Sequence, residues 1–209
     1  MSKPLPASVR THWTALRLLL VMTAILGIAY PLLVTGLSQL AFADKANGSI
    51  VTSDGKEVGS SLLGQNFNLP KKNPDDPNEQ AQPDPRWFQP RPSAAKYDPH
   101  GSAAGNLGPN SDDLLKAVND NRAAIAAFDG VDPATVPVDA ITASGSGLDP
   151  HISAAYAKEQ VARVAKTRNL SADTVDQLVD KYTEGRSLGF LGQAGVNVVL
   201  LNKALSEQR

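Results

Sequence analysis

From Leu18 to Ala43 the chain runs 26 residues without one Asp, Glu, Lys or Arg. As a helix this stretch would measure ~39 Å, against a hydrocarbon core of about 30 Å, which is enough to cross a bilayer with some tilt or a bend. Its first half, around Leu18-Leu19-Leu20-Val21-Met22 and Ile25-Leu26-Gly27-Ile28, has no polar face. Pro31 removes one backbone donor mid-span, a loss that a nearby hydroxyl such as Thr35 is placed to offset. The second half carries Thr35, Gly36, Ser38 and Gln39 among apolar residues, the small and hydroxyl side chains through which membrane helices contact partners. Ala41-Phe42-Ala43 fits a signal-cleavage pattern, but a signal's apolar region is only about 7–15 residues long. Length therefore favours a span.

Beyond the span the pattern breaks into short alternating and helical segments. Asp54-Gly55 behind β-branched residues predicts a hairpin over 47–58, continuing as a short strand or turn to Phe67. Pro70 to Pro85 has five prolines among polar residues and predicts a mobile loop, because so few apolar groups cannot offset its ordering entropy. Ser111 caps a predicted helix with Asp112 and Asp113 in its first turn and Leu114, Leu115, Val118, Ile125 and Phe128 along one stripe. Val136 to Thr142 predicts a short strand. Asp149-Pro150 predicts the start of a helix to Arg168, with Asp149 as N-cap and Ile152, Tyr156, Val161 and Val164 inward. Ser171 caps a further helix with Val175, Leu178, Val179 and Tyr182 on its inner face; Gly195 to Leu201 reads as a final strand before a short helix over 202–207. The predicted fold class is α/β: a single N-terminal transmembrane helix (18–43) after a short cytoplasmic N-terminus (1–17), followed by one mixed α/β extracytoplasmic domain (44–209).

Charge sets the orientation. Lys3, Arg10 and Arg17 precede the span without an acid among them, so the positive-inside bias places the N-terminus in the cytoplasm. All 21 acidic residues and 17 of the 20 Lys and Arg follow Ala43, leaving that part net −4 with no basic stripe, so nucleic acid is not an expected partner. With no cysteine, thiolate metal sites and cysteine nucleophiles are excluded.

Candidate chemistry is sparse. Ser144, Ser146, Asp149 and His151 invite a hydrolase triad, yet position 144 is Ser where the G-x-S-x-G elbow needs Gly. The same Gly-Ser loop offers backbone N–H groups to an anion at a helix start, with no Lys or Arg inside it. His12, His100 and His151 lack metal-pair spacing, and no P-loop or H-E-x-x-H occurs. Ser61-Leu62-Leu63-Gly64-Gln65 loosely resembles the signature string of ABC transporters, although the predicted topology puts it outside the cell. Arg91, held stiffly between Pro90 and Pro92, is either an ion-pair partner within the domain or a contact to another subunit.

Four strings together resemble one family: Phe88-Gln89-Pro90-Arg91-Pro92-Ser93-Ala94, Asn106-Leu107-Gly108-Pro109, the twelve residues from Thr142 to Ser153, and Val196-Asn197-Val198 with Leu201-Asn202. The chain is similar over nearly its whole length to the C subunit of the bacterial Kdp high-affinity potassium-transporting P-type ATPase. It departs from the family at Gly192-Gln193-Ala194-Gly195, where Gly-Glu-Pro-Arg is usual, and in the length of its Pro-rich insertion. The resemblance implies a non-catalytic subunit in the bacterial inner membrane, working with a potassium-translocating A subunit, an ATP-hydrolysing B subunit and a small F subunit. ATP and K+ are then handled by the complex. It also implies a catalytic chaperone that raises the B subunit's affinity for ATP, with Gly64 and Gln65 as nucleotide contacts. Topology instead favours an outer domain that covers the A subunit's ion entrance, with Thr35, Gly36, Ser38, Gln39, Arg91, Ser144, Ser146 and Asp149 as candidate partner contacts and no catalytic or metal residue. The competing class is a membrane-anchored periplasmic enzyme or binding protein acting alone.

Overall fold

The structure, a computed structural model, describes residues 6–73, 75–76, 79 and 81–208. The chain divides into two compact units, Met1–Ser49 and Ile50–Arg209, taken here in turn.

The first unit is a helical run from Ala7 to Ala41, of apolar character and with its sides uncovered by the chain. It consists of α1 (Ala7–Ala24), a wide π turn over Ile25–Ala29, and α2 (Tyr30–Ala41). The π turn ends one residue before Tyr30-Pro31, and the Tyr30 N–H bonds back five residues to Ile25 O. A widened turn is one of the few ways a helix absorbs an internal proline without breaking. Phe42 leaves helical geometry, and a single turn follows, α3 (Ala43–Ala46). The Gln39 and Asn47 side-chain amides pair reciprocally at 3.0 and 3.2 Å, tying that turn to the end of α2.

The second unit opens with the predicted hairpin, β1 (Ile50–Ser53) and β2 (Lys56–Ser60), antiparallel with Ser53 opposite Lys56. Asp54 and Gly55 both take positive φ, the two-residue turn whose twist suits a hairpin. The described residues of the Pro-rich segment stand on a paired base: Leu69 N–H donates to Gln82 O at 2.8 Å and Asp84 N–H to Phe67 O at 3.0 Å. Farther out, the Glu79 carboxylate accepts from the Lys72 and Asn73 amides. Pro74 and Pro77, also part of the predicted loop, lie outside the described residues.

α4 (Asp112–Asp129) begins at Ser111, whose Oγ accepts from Leu114 N, and ends at left-handed Gly130. Its stripe is narrower than predicted, because Leu115 points to solvent at 61 % exposure. The strand expected over 136–142 is instead the helical turn α5 (Val138–Ile141). Ala140 and Ile141 are consecutive and both buried, which a strand's alternation would forbid. Asp149 does not start a helix either. His151–Ile152 form strand β3, and α6 (Ala154–Arg168) is capped by Ser153, whose Oγ accepts from Tyr156 N at 3.0 Å. Ser153 is itself held, its amide and hydroxyl both donating to the Asp139 carboxylate. Ser171 caps α7 (Ala172–Lys181) as predicted, its apolar residues reaching the core. The last strand is shorter than predicted: β5 covers Gly195–Asn197, and Asn197 caps α8 (Val198–Ser206) by accepting from the Val199 and Leu200 amides. With β4 (Thr183–Glu184) these strands make a small antiparallel sheet ordered β3-β5-β4.

The core lies where α6, α7 and α8 meet this sheet, around Val164, Val175, Val179, Val196, Leu201 and Leu205, with Phe88 inserted from the long irregular segment. Three buried polar side chains clamp that segment. Asn202 donates to Phe88 O and accepts from Phe88 N, both at 2.9 Å. Gln160 does the same for Gln89, at 3.1 and 2.6 Å. Arg163 bonds the carbonyls of Pro85 and Trp87 while its Nε sits 2.5 Å from Asp129. A buried backbone without sheet partners must find its hydrogen bonds in this way.

Candidate functional site

Four of the chain's distant segments cross at one knot. Pro90-Arg91-Pro92 runs beside the Gly-Ser loop, with Ser144 N–H donating to Pro92 O at 3.3 Å and Ser93 Oγ to Gly147 O at 2.6 Å. Gly64 N–H donates to Leu148 O at 2.7 Å, and Val198 N–H to Pro150 O at 2.9 Å. The backbone approaches are close enough to exclude side chains. A Cβ on Gly64 would lie 2.5 Å from Tyr97 Cε1 and 2.6 Å from Asp149 O, and one on Gly147 only 2.6 Å from Ala103 O. Of the family-like strings, Asn106-Leu107-Gly108-Pro109 stays apart, exposed on a loop.

The sequence-selected residues divide at this knot. Gly64 is buried in it, and Gln65 turns the other way, toward Gly59 and a groove beside α8. Ser144 is buried, its Oγ accepting from Gly147 N at 2.9 Å. Ser146 Oγ accepts from Leu148 N, while its carbonyl takes bonds from Ala103 N and Ser102 Oγ. Both hydroxyls hold turns. Arg91 and Asp149 do come together: Nη1 lies 3.3 Å from Oδ2, and Nη2 reaches the carbonyls of Thr142 and Ala143. Thr35, Gly36, Ser38 and Gln39 belong to the first unit, where Thr35, Ser38 and Gln39 share one face of α2 at i, i+3, i+4 spacing.

Asp149 also accepts from His151 N at 2.9 Å and faces the His151 ring at 3.4 Å. Burial pushes its pKa up, but the bonds from the His151 ring and amide, with the charges of His151 and Arg91, prevail and hold it below the usual 3.8. The hydrogen bond to Asp149 lifts His151 above its ordinary 6.5 against opposing burial, and the charges of Asp149 and Glu184 add to the lift. Both ring nitrogens of His151 thus face carboxylates, Nδ1 that of Asp149 and Nε2 that of Glu184 at 3.9 Å. The Ser144 and Ser146 hydroxyls are engaged in their turns, and among the described residues neither is paired with the His151 ring, so the triad the sequence invited is not assembled. Among the described residues no group of three or more His, Asp or Glu is placed to hold a metal.

These groups line a cleft of about 640 Å³ whose far wall is the loop from Gly185 to Ala194. The sequence reading marked only the 192–195 end of that wall and passed over the rest. Its signal was present as Leu188-Gly189-Phe190-Leu191, apolar residues bounded by glycines and belonging to no helical or strand period.

The family model for the c chain of K+-transporting ATPases, KdpC, matches residues 12–207. The chain belongs to the KdpC family. A relative in Kineococcus radiotolerans, named potassium-transporting ATPase KdpC subunit, is 53% identical over 207 residues, covering 98% of this chain and 97% of its own length. A KdpC subunit of Streptomyces avermitilis is 45% identical over 220 residues, covering 99% of this chain and 98% of its own. One of Sorangium cellulosum is 50% identical over 198 residues, covering 93% and 96% respectively. KdpC membership accords with one long apolar helix ahead of a mixed α/β domain.

Proposed function

We propose that the chain is a non-catalytic subunit of an ATP-driven potassium uptake complex. It crosses the bacterial inner membrane once, with its N-terminus in the cytoplasm and its folded domain outside. The carrying observation is the uncovered apolar helix Ala7–Ala41 in a chain matched by the c-chain model across 12–207. An apolar rod with no cover inside its own chain requires lipid or other membrane helices around it. The face bearing Thr35, Ser38 and Gln39 packs against the potassium-translocating A subunit, and the outer domain covers that subunit's ion entrance. The ATP-hydrolysing B subunit and the small F subunit complete the assembly. The acidic bias of the outer domain modestly enriches K+ near the entrance, an effect that salt screens.

Any rise in the B subunit's affinity for ATP then comes through the stability of the assembly. Gly64 supports this indirect route, because its buried contacts with Tyr97 and Asp149 leave no face for a nucleotide. The test is purification of the tagged chain from membranes. Recovery of the A and B subunits is expected; recovery of the chain alone, active on a small substrate, would overturn the reading.

A further inference from the structure

We infer that the tip of the β4–β5 hairpin, Leu188, Phe190 and Leu191, with Val138 across the cleft, is the surface by which the domain docks into an apolar pocket on the ion-translocating subunit. The inference rests on the subunit reading above and adds to it the face that makes the contact. Leu188 is 82 % exposed, Phe190 69 %, Leu191 50 % and Val138 72 %. Single exposed leucines are ordinary, but several on one rim mark an interaction site.

The tip is a built shape. Leu191 N–H donates to Ser187 O at 2.9 Å, Phe190 N–H to the same oxygen at 3.3 Å, and Gly189 N–H to Arg186 O at 3.0 Å. Ser187 and Leu191 form a bridge across the turn. Leu188 takes a positive φ of 54°, a conformation that a leucine enters only at a cost. A glycine or asparagine would suit that backbone, and the leucine side chain placed there is largely exposed.

Charge decides what sits on it. Behind the tip the cleft presents Asp139, Asp149 and Glu184 against Arg91 and His151. The rest of that wall, Gly192-Gln193-Ala194-Gly195, adds no cation to the cleft. An anionic bilayer surface needs a cluster of Lys and Arg, and Arg186 is the single cation in the sequence between Lys181 and Lys203. A second copy of the chain would set the same acidic cleft against itself. A protein pocket with an apolar floor and a basic residue on its rim satisfies both halves of the surface.

The experiment uses the whole complex. A photoreactive benzoylphenylalanine at position 190, and a control at exposed position 115 on α4, are irradiated in membranes. The double variant Leu188→Asn, Phe190→Ser is purified in parallel. The inference expects cross-links to the ion-translocating subunit from 190 and not from 115. It also expects at least tenfold lower recovery of that subunit with the double variant, at an unchanged melting temperature. Cross-links from 190 to lipid, to a second copy or to nothing would overturn it, as would wild-type recovery with the double variant. If the wild-type chain recovers no ion-translocating subunit, the functional reading fails as well, which separates the two failures.

Discussion

Replacing Gly64 with alanine separates a packing role from a nucleotide-contact role. The new methyl carbon would meet Tyr97 Cε1 at 2.5 Å and Asp149 O at 2.6 Å, well inside contact distance. Neither neighbour yields easily. Tyr97 is buried with its hydroxyl donating to Arg91 O at 2.6 Å, and the Asp149 oxygen is backbone in a loop tied by Gly64's own bond to Leu148. Overpacking of this kind costs roughly 1–3 kcal/mol. Stretching the Gly64–Leu148 hydrogen bond adds about 1 kcal/mol. The lower chain entropy of alanine in the unfolded state returns about 0.4–1 kcal/mol. The net is on the order of 2–3 kcal/mol, or a fall in melting temperature of roughly 5–10 °C for a domain of this size. Thermal unfolding of the detergent-solubilised chain, followed by circular dichroism, measures it. A Gly64→Ala chain that melts within about 2 °C of wild type would refute the packing argument. If that same variant also weakened ATP binding in the complex, a direct nucleotide contact would regain its standing.

Asn202→Ala strands the buried amide and carbonyl of Phe88, so the urea midpoint should fall by the equivalent of about 3 kcal/mol. Burial, with the charges of Asp129 and Asp139, pushes the Glu159 carboxyl up to about 7, and its Oε1 is buried without a hydrogen-bond partner. A raised carboxyl favours the folded state only while protonated, so stability from this group is present below 4.5 and lost as pH rises through about 7. Glu159→Gln should therefore raise the melting temperature at pH 8 and leave it unchanged near pH 4, as paired melts would show. His151, raised by Asp149, contributes stability below 6.5 that disappears as pH rises through its folded pKa; Asp149, lowered, contributes above 3.8 and fails as pH falls through its own. His151→Gln should remove its own share of the alkaline loss and leave that of Glu159, and an NMR titration of the His151 ring should give a midpoint above 6.5.

What the sequence shows and what it hides follows from the range of the interactions. The apolar helix, the Asp54-Gly55 hairpin and the serine caps at 111 and 171 are local signals, readable because each depends on neighbours within a few residues. Errors occur where two local signals compete and a distant residue decides. Asp149-Pro150 has the form of a helix start, but His151 and Ile152 pair with Val196 and Asn197, the Asp149 carboxylate is taken by the His151 amide and Arg91, and Ser153 caps the helix instead. Val136 to Thr142 has strand composition, yet Ala140 N–H bonds back to Pro137 O, and a helical turn carries the consecutive buried pair Ala140 and Ile141. The clamps Gln160, Arg163 and Asn202 are polar residues within amphipathic helices, and a period alone gives no reason to bury them. Their partners are backbone groups 71 to 114 positions away. The contact candidates Ser144 and Gly64 were selected for their types, and the fold uses both to hold its backbone crossings.

Sidedness is the claim from which the rest follows, and the cysteine-free chain makes it directly measurable. A single Asp113→Cys on exposed α4, away from the acidic cleft, provides the handle. With a maleimide that cannot cross membranes, the account predicts full labelling in cells whose outer membrane alone has been opened. Labelling only after the inner membrane is broken would put the folded domain in the cytoplasm and remove the ion-entrance role.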